Sequence, residues 1–360
     1  MVIFLMGASP ITVAGAAEIV VAVRDNAAPL ISHDKEKGGY ATGFLWDVCT
    51  EAVSRAGYTF EVEVISADER RRFIRVGKPT RYDLLCDPTT INLSRLKAFT
   101  ARGAAPQLSF SPIVFVANGS YAIANVRENS AMDDDLKSLS DPCPELISRS
   151  MVKDPDQKTN QAAGSLPRFR FVPDDDSKAK TFEIWGYVEG STIGEILVQE
   201  KAKAPLPGDN RVICPREMPS HTAAAREFCE RRLQRYYGDV DIVRAEIAAY
   251  VLRTKNKCEH KIGRPNGTYE PYAFVMSSIN QPDFPELFTL ALYSMFNDGT
   301  MEGLFAAHFP DKDKSPHLAT LFRINRIPSG QHSLGGQRSA CQIGVYAKPL
   351  SVGSNRKCEK

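Results

Sequence analysis

Tyr82-Asp-Leu-Leu-Cys-Asp-Pro-Thr-Thr-Ile-Asn-Leu-Ser-Arg95 is the stretch whose reading decides the fold. Tyr82 to Cys86 is a short apolar run with the pattern of a buried strand. Asp87-Pro88 is turn chemistry and predicts the end of that strand. Thr89 and Thr90 follow, and Arg95 sits on a segment that opens a helix with Asn92 or Ser94 near its cap. Small hydroxyls and free backbone N–H groups at such a corner, with one guanidinium close by, suit a carboxylate, because the arginine fork binds both oxygens at once. A Thr-rich turn with a surface arginine is the alternative on spacing alone.

Upstream, Glu18 to Val23 predicts a first strand and Arg24 to Leu30 the loop after it. Phe44 to Ala56 has helical spacing, with Phe44, Leu45, Val48 and Ala52 on the core side, and Gly57 stops it. Tyr58 to Ile65 alternates as a strand, and Asp68 to Val76 makes a charged helix before Gly77-Lys78. This β-α-β-α-β order predicts an α/β fold with a mostly parallel, doubly wound sheet. Ligands of such sheets sit beyond the carboxyl ends of the strands, where Asp87 to Arg95 falls.

Downstream, Val114 to Ile123 is an apolar strand broken by Asn118-Gly119. Residues 124–180 read as a polar, solvated insertion with acidic runs at Asp133 to Asp135 and Asp174 to Asp176, and one strand at Phe169 to Val172. Ile184 to Val188 is a strand leading into Glu189-Gly-Ser-Thr192 and a helix to Ala202. Ser191 and Thr192 at a helix N-terminus make an anion site by physics alone, since free N–H groups and the helix dipole both favour negative charge; a plain N-cap is the alternative. His221 to Tyr237 reads as a helix whose Arg226, Arg231, Arg232 and Arg235 form a solvated face. Phe284 to Phe296 and Thr300 to Phe309 are the last two helices, followed by a Gly/Ser-rich tail.

The chain has 360 residues, 43% hydrophobic and 24% charged, which is long enough for two domains. A net charge of +2 favours neither nucleic acid nor an anionic membrane surface. Met1 to Ala17 is apolar and ends in small residues, like a secretory h-region and its cleavage site. It is too short to span a bilayer. Export would place the eight cysteines where disulfides form; their spacing favours Cys341 with Cys358, and Cys214 with Cys229 or Cys258. Neither Cys-x-x-Cys nor Cys/His metal spacing occurs, so neither metal nor cofactor is expected.

Taken together, Gly43-Phe-Leu-Trp-Asp47, Tyr82-Asp83, the Thr89 to Arg95 segment, Phe110-Ser111-Pro112 and Gly299-Thr-Met-Glu-Gly-Leu-Phe-Ala-Ala-His-Phe309 occur in an order that resembles the amino-acid-binding class of periplasmic solute-binding proteins, the capture subunits of ABC importers. The resemblance covers residues 18 to 328 and implies a two-lobed, type II periplasmic-binding-protein fold with two crossovers. Lobe one would comprise residues 18–117 and 270–328, and lobe two residues 118–269. A signal peptide (1–17) and a flexible tail (329–360) would flank them. It implies a periplasmic monomer without membrane insertion, partnered by a permease and binding an amino acid or similar zwitterion. Thr89, Thr90 and Arg95 would hold the ligand carboxylate with Ser191 and Thr192. Glu246, the final acid of a Gly238 to Glu246 strand, would hold the ammonium. The aromatic platform usual after the first strand is replaced by Ala27-Ala-Pro-Leu30. Dehydratases of arogenate or prephenate on the same fold, and sensory input modules, are the alternative functions.

Overall fold

The computed structural model describes residues 17–24, 26–34, 40–76, 81–100, 107–124, 129–131, 143–151, 168–171, 180–202, 211–263 and 269–327. The expected leader (but for Ala17), the tail after 328 and most of the 124–180 insertion lie outside them.

Strand β1 (Glu18–Val23) buries Ile19, Val21 and Val23 on one face and Ala22 on the other. It pairs in parallel with β5 (Thr59–Val64) and β6 (Leu84–Thr90). Helix α1 (Phe44–Arg55) makes the first crossover and α2 (Ala67–Val76) the second, since parallel neighbours need a long return. A small antiparallel sheet of β2 (Asn26–Ala27), β3 (Ile31–Asp34) and β4 (Tyr40–Thr42) precedes α1. Phe44, Leu45, Val48 and Ala52 of α1 are fully buried, as their spacing predicts. They pack with Phe288 and Met295 of α8 (Phe284–Asp298), Phe305 of α9 (Thr300–His308) and Phe322 of α10 (Pro316–Ile324).

Two long strands carry the sheet onward. The ten-residue β8 (Phe115–Ala124) pairs antiparallel with β15 (Tyr269–Ser277) over Phe115 to Asn118, then with β13 (Arg235–Asp239) over Gly119 to Ile123. Asn118-Gly119 therefore does not break the strand. The pair marks where β8 changes partner, and ladder bonds on both sides override its turn propensity. β13 pairs in parallel with β11 (Lys180–Val188), as does β12 (Arg211–Met218), while β10 (Arg168–Phe171) pairs antiparallel with β11 and β9 (Asn129–Ala131) parallel with β10. A second core of Phe182, Ile184, Phe228, Tyr236, Val243 and Tyr250 lies here. The protein thus has the two-lobed, type II binding-protein fold, each half with its own apolar core. β7 (Leu108–Phe110) and β14 (His260–Ile262) pair with β15 and β8 respectively.

Other expectations change. β6 does not end at Asp87-Pro88 but runs to Thr90. Its ladder with β15 slips between Ala273 and Val275, and a proline, having no N–H to donate, is tolerated at such an irregularity. The helix from His221 stops at Cys229 (α6), and Arg231 takes a left-handed φ of 63° before the chain enters β13. Its arginines are not one solvated face: Arg232 bonds Glu227 at 2.6 Å, and Arg235 stacks 4.4 Å from the Trp185 ring centroid. Cys214 pairs with Cys143, at the start of α4 (Cys143–Met151), rather than with Cys229 or Cys258, which pair with each other. Cys49 of α1 pairs with Cys86 of β6. Cys341 and Cys358 lie outside the described residues.

Candidate functional site

The end of β6 and the start of α3 (Leu93–Thr100) form the first wall of the cleft. Asn92 caps that helix by accepting the Arg95 N–H at 2.9 Å. The cap sets the first turn so that the Arg95 side chain folds inward, where it is buried. Nη1 donates to the Thr90 carbonyl at 2.6 Å and Nη2 to the Gly190 carbonyl at 3.1 Å.

The opposite wall is the corner between β11 and α5 (Thr192–Ala202). Ser191 caps α5, its hydroxyl accepting the Gly194 N–H at 3.2 Å. Thr192 turns its hydroxyl inward. Between the walls lies Glu270, from β15. Its Oε2 accepts the Thr90 hydroxyl at 2.8 Å and the Thr192 hydroxyl at 3.1 Å. Four of the six residues singled out by sequence, Thr90, Arg95, Ser191 and Thr192, are therefore brought together, while the Thr89 hydroxyl accepts Arg70 Nη2 at 3.3 Å.

Glu246 is not with them. It is buried in the interior of α7 (Val240–Thr254), where Oε2 accepts the Thr222 hydroxyl at 2.9 Å. The expected Gly238 to Glu246 strand ends at Asp239, whose Oδ1 caps α7 by accepting the N–H of Asp241 at 2.7 Å and Ile242 at 3.4 Å. Asp239 is thus the acid that ends the strand. The signal was available: an Asp followed by apolar Ile242, Val243, Ile247 and Tyr250 at helical spacing reads as a cap and a helix.

Beneath Glu270 is a cavity of about 40 Å³ lined by Arg24, Arg70, His221, Asp239, Glu270 and Tyr272, among others. Strand alternation explains two pairs of these neighbours, since Glu270 and Tyr272 share one face of β15, and Tyr237 and Asp239 one face of β13. Asp239 Oδ2 is buried and, among the described residues, has no hydrogen-bond partner. Burial, then the nearby Asp241, pushes this carboxyl up to about 7. His221 shares a 2.7 Å hydrogen bond with the Tyr236 hydroxyl, and burial, then Arg24, pushes its ring down to about 3, so it is neutral.

Asp87 anchors the cationic side. Arg24 Nε donates to Oδ1 at 2.6 Å and Arg70 Nε donates to Oδ2. Burial opposes the charge on Asp87, but the two guanidinium groups hold its carboxyl below the usual range. Sequence reasoning missed Arg24, Arg70, Asp87 and Glu270 as site residues. Arg24 follows directly on the carboxyl end of β1, the position where such sheets meet ligands. A larger cavity of about 330 Å³ shares Arg70 with the first and is lined by Arg71, Ser94, Arg95, Gly190 and Glu195. Guanidinium groups on one side and a free carboxyl oxygen on the other suit a small molecule carrying both charges.

No sequence relative is found among curated proteins. Among solved structures, the arginine-, lysine-, histidine-binding protein ArtJ from Geobacillus stearothermophilus is similar at 15% identity and a TM-score of 0.54, over 84% of this chain and 99% of that one. An ancestral arginine-binding protein bound to glutamine is similar at 18% identity and a TM-score of 0.52, over 82% and 99%. Such likeness shows a shared fold. The sequence profile of one family covers residues 19–311, most of both halves and the cleft between them, and so this chain belongs to the bacterial extracellular solute-binding proteins, family 3.

Proposed function

We propose that the protein captures an amino acid or similar small zwitterion outside the cytoplasm and delivers it, as a monomer, to the permease of an ABC importer. The carrying observation is that hydroxyls from opposite walls, Thr90 and Thr192, already converge on a carboxylate, that of Glu270. A ligand carboxylate would take those hydroxyls together with Arg95, Thr89 and the N–H groups behind Ser191. Its ammonium would meet the unpartnered oxygen of Asp239, in the role first given to Glu246. Bonds from both walls to Glu270 cross the cleft at the inner cavity, which Glu270 and Thr192 line. Loading therefore requires the halves, residues 18–117 with 270–328 and residues 118–269, to part and close again about β8 and β15. Mass spectrometry of small molecules released from purified, denatured protein tests this reading. An extract without any amino-acid-like compound, with no stabilisation of the stripped protein by the twenty amino acids, would refute it.

One observation favours a second reading. An acid that protonates a leaving hydroxyl works best with a pKa near the working pH, and Asp239 is raised to about 7 within the cleft. Following aromatic product by absorbance during incubation with arogenate and prephenate separates the two. Turnover abolished by Asp239→Asn would establish an enzyme, and its absence leaves capture.

A further inference from the structure

Glu270 makes this cleft self-sufficient. Its Oε2 takes both inward hydroxyls, Thr90 and Thr192, and Arg95 Nη1 and Nη2 each give one N–H to the carbonyls of Thr90 and Gly190. The two hydroxyls that would hold a ligand carboxylate are therefore already taken by the protein. Glu270 is itself buried and comes from β15, one of the two strands that join the halves, paired there with Ala117 of β8. Its position is thus fixed by the ladder, while Thr90 and Thr192 reach it from opposite walls.

We propose that Glu270 is an internal ligand of the cleft. Its carboxylate occupies the Thr90–Thr192 cradle when no solute is bound, holds the walls together, and must be displaced by the carboxylate of any solute that binds. Glu270 then sets specificity, because only solutes whose carboxylate brings enough further contacts outcompete it. This rests on the reading of Thr90 and Thr192 as the ligand cradle.

The physical basis is competition. Hydrogen bonds from hydroxyls to an ionised, buried carboxylate are stronger than neutral ones. Two carboxylates cannot share the same two donors without repulsion. Other bonds span the cleft, but Arg71 to Glu189, at 2.9 Å, is partly exposed and contributes little. Arg95 to Gly190 is a second buried link, but it leaves the two hydroxyls untouched. Glu270 is the side chain that holds both of them.

Small-angle scattering on the full chain, stripped of bound solute by unfolding and refolding with its disulfides intact, reads closure without any ligand. Wild type is expected compact. Glu270→Ala is expected to open the cleft and raise the radius of gyration by about 1 Å on a base of roughly 20 Å. Thr192→Val, which removes one donor, should move the same way and serves if the first variant fails to fold. A stripped wild type already as open as folded Glu270→Ala or Thr192→Val, or variants as compact as wild type, would overturn the proposal. In a second arm, glycine is titrated calorimetrically. Loss of the internal competitor should tighten its binding to Glu270→Gln by about 5- to 30-fold. Weaker or unchanged binding to that variant would also overturn it. If glycine binds neither protein, scattering alone decides on Glu270, while the carboxylate-cradle reading is decided by titrating the solute recovered from the protein.

Discussion

The Arg95 guanidinium reaches from the first turn of α3 to the carbonyl oxygen of Gly190, 3.1 Å away on the corner that opens α5. One side chain therefore touches both walls of the cleft, and it is buried where a solute carboxylate would approach. Arg95→Ala is expected to weaken solute binding by about 2–5 kcal/mol, since a buried carboxylate loses its charged partner. Arg95→Lys should recover only part of that, because an ammonium cannot fork. Calorimetric titration with the solute recovered from the protein checks both, and undiminished affinity in the alanine variant would remove Arg95 from the site.

Asp239 predicts how binding depends on pH. With its carboxyl at about 7, an incoming ammonium must first drive off a proton at lower pH. Affinity should fall about tenfold per pH unit below 7 and level off above it. Titrations in buffers of different ionisation enthalpy should show proton release at pH 6 and little at pH 8. Asp239→Asn should bind weakly and without that slope.

The same residue acts on stability with a definite sign. Its carboxyl is raised from 3.8 to about 7 in the folded state. The stabilisation from its bound proton is complete below 3.8 and is lost as pH rises through 7, roughly 4 kcal/mol in all. His221, lowered from 6.5 to about 3, works oppositely: its contribution is present above 6.5 and is lost as pH falls toward 3. The two slopes oppose each other between about 4 and 6.5. Chemical denaturation across pH 4 to 8 should show Asp239→Asn gaining relative to wild type as pH rises, and a constant difference would contradict the assignment.

Asp87 is held between Arg24 and Arg70. Asp87→Asn leaves two buried guanidinium groups without a counter-charge and is expected to cost about 3–5 kcal/mol. Adding Arg24→Met should restore part of the loss. Urea midpoints of wild type, single and double variants give the answer, and additive losses would show that the pair is not coupled.

Among the described residues, three disulfides join Cys49 to Cys86, Cys143 to Cys214 and Cys229 to Cys258. Alkylation of the unreduced, denatured protein should label no cysteine among these six. Replacing Cys229 and Cys258 together by serine removes a link spanning 29 residues and should cost about 2–4 kcal/mol in urea unfolding. Label on any of the six in the oxidised protein would contradict the pairing.

Local pattern sufficed for much of this protein. The β-branched run of β1, the helical spacing of Phe44, Leu45, Val48 and Ala52, and the hydroxyl-rich corners at Thr90 and Thr192 all act through neighbours in sequence, so their positions were legible. Asp87 read as a turn residue because its partners, Arg24 and Arg70, are distant in the chain. Tertiary ion pairing and a shifted ladder kept it in a strand. Glu270 had no local signature at all, since its role arises only where β15 brings it between two walls 102 residues apart, at Thr90 and Thr192. The acid facing the cleft was misplaced from Asp239 to Glu246 because one residue range, 238–246, carries both strand and helix patterns. What decided between them was the pairing of β13 with β8 and β11, which ends at Asp239 and leaves that residue to cap the helix. Sequence determined the elements, because periodicity and capping are local; tertiary structure decided which charges meet, because a buried charge is held by partners chosen in space.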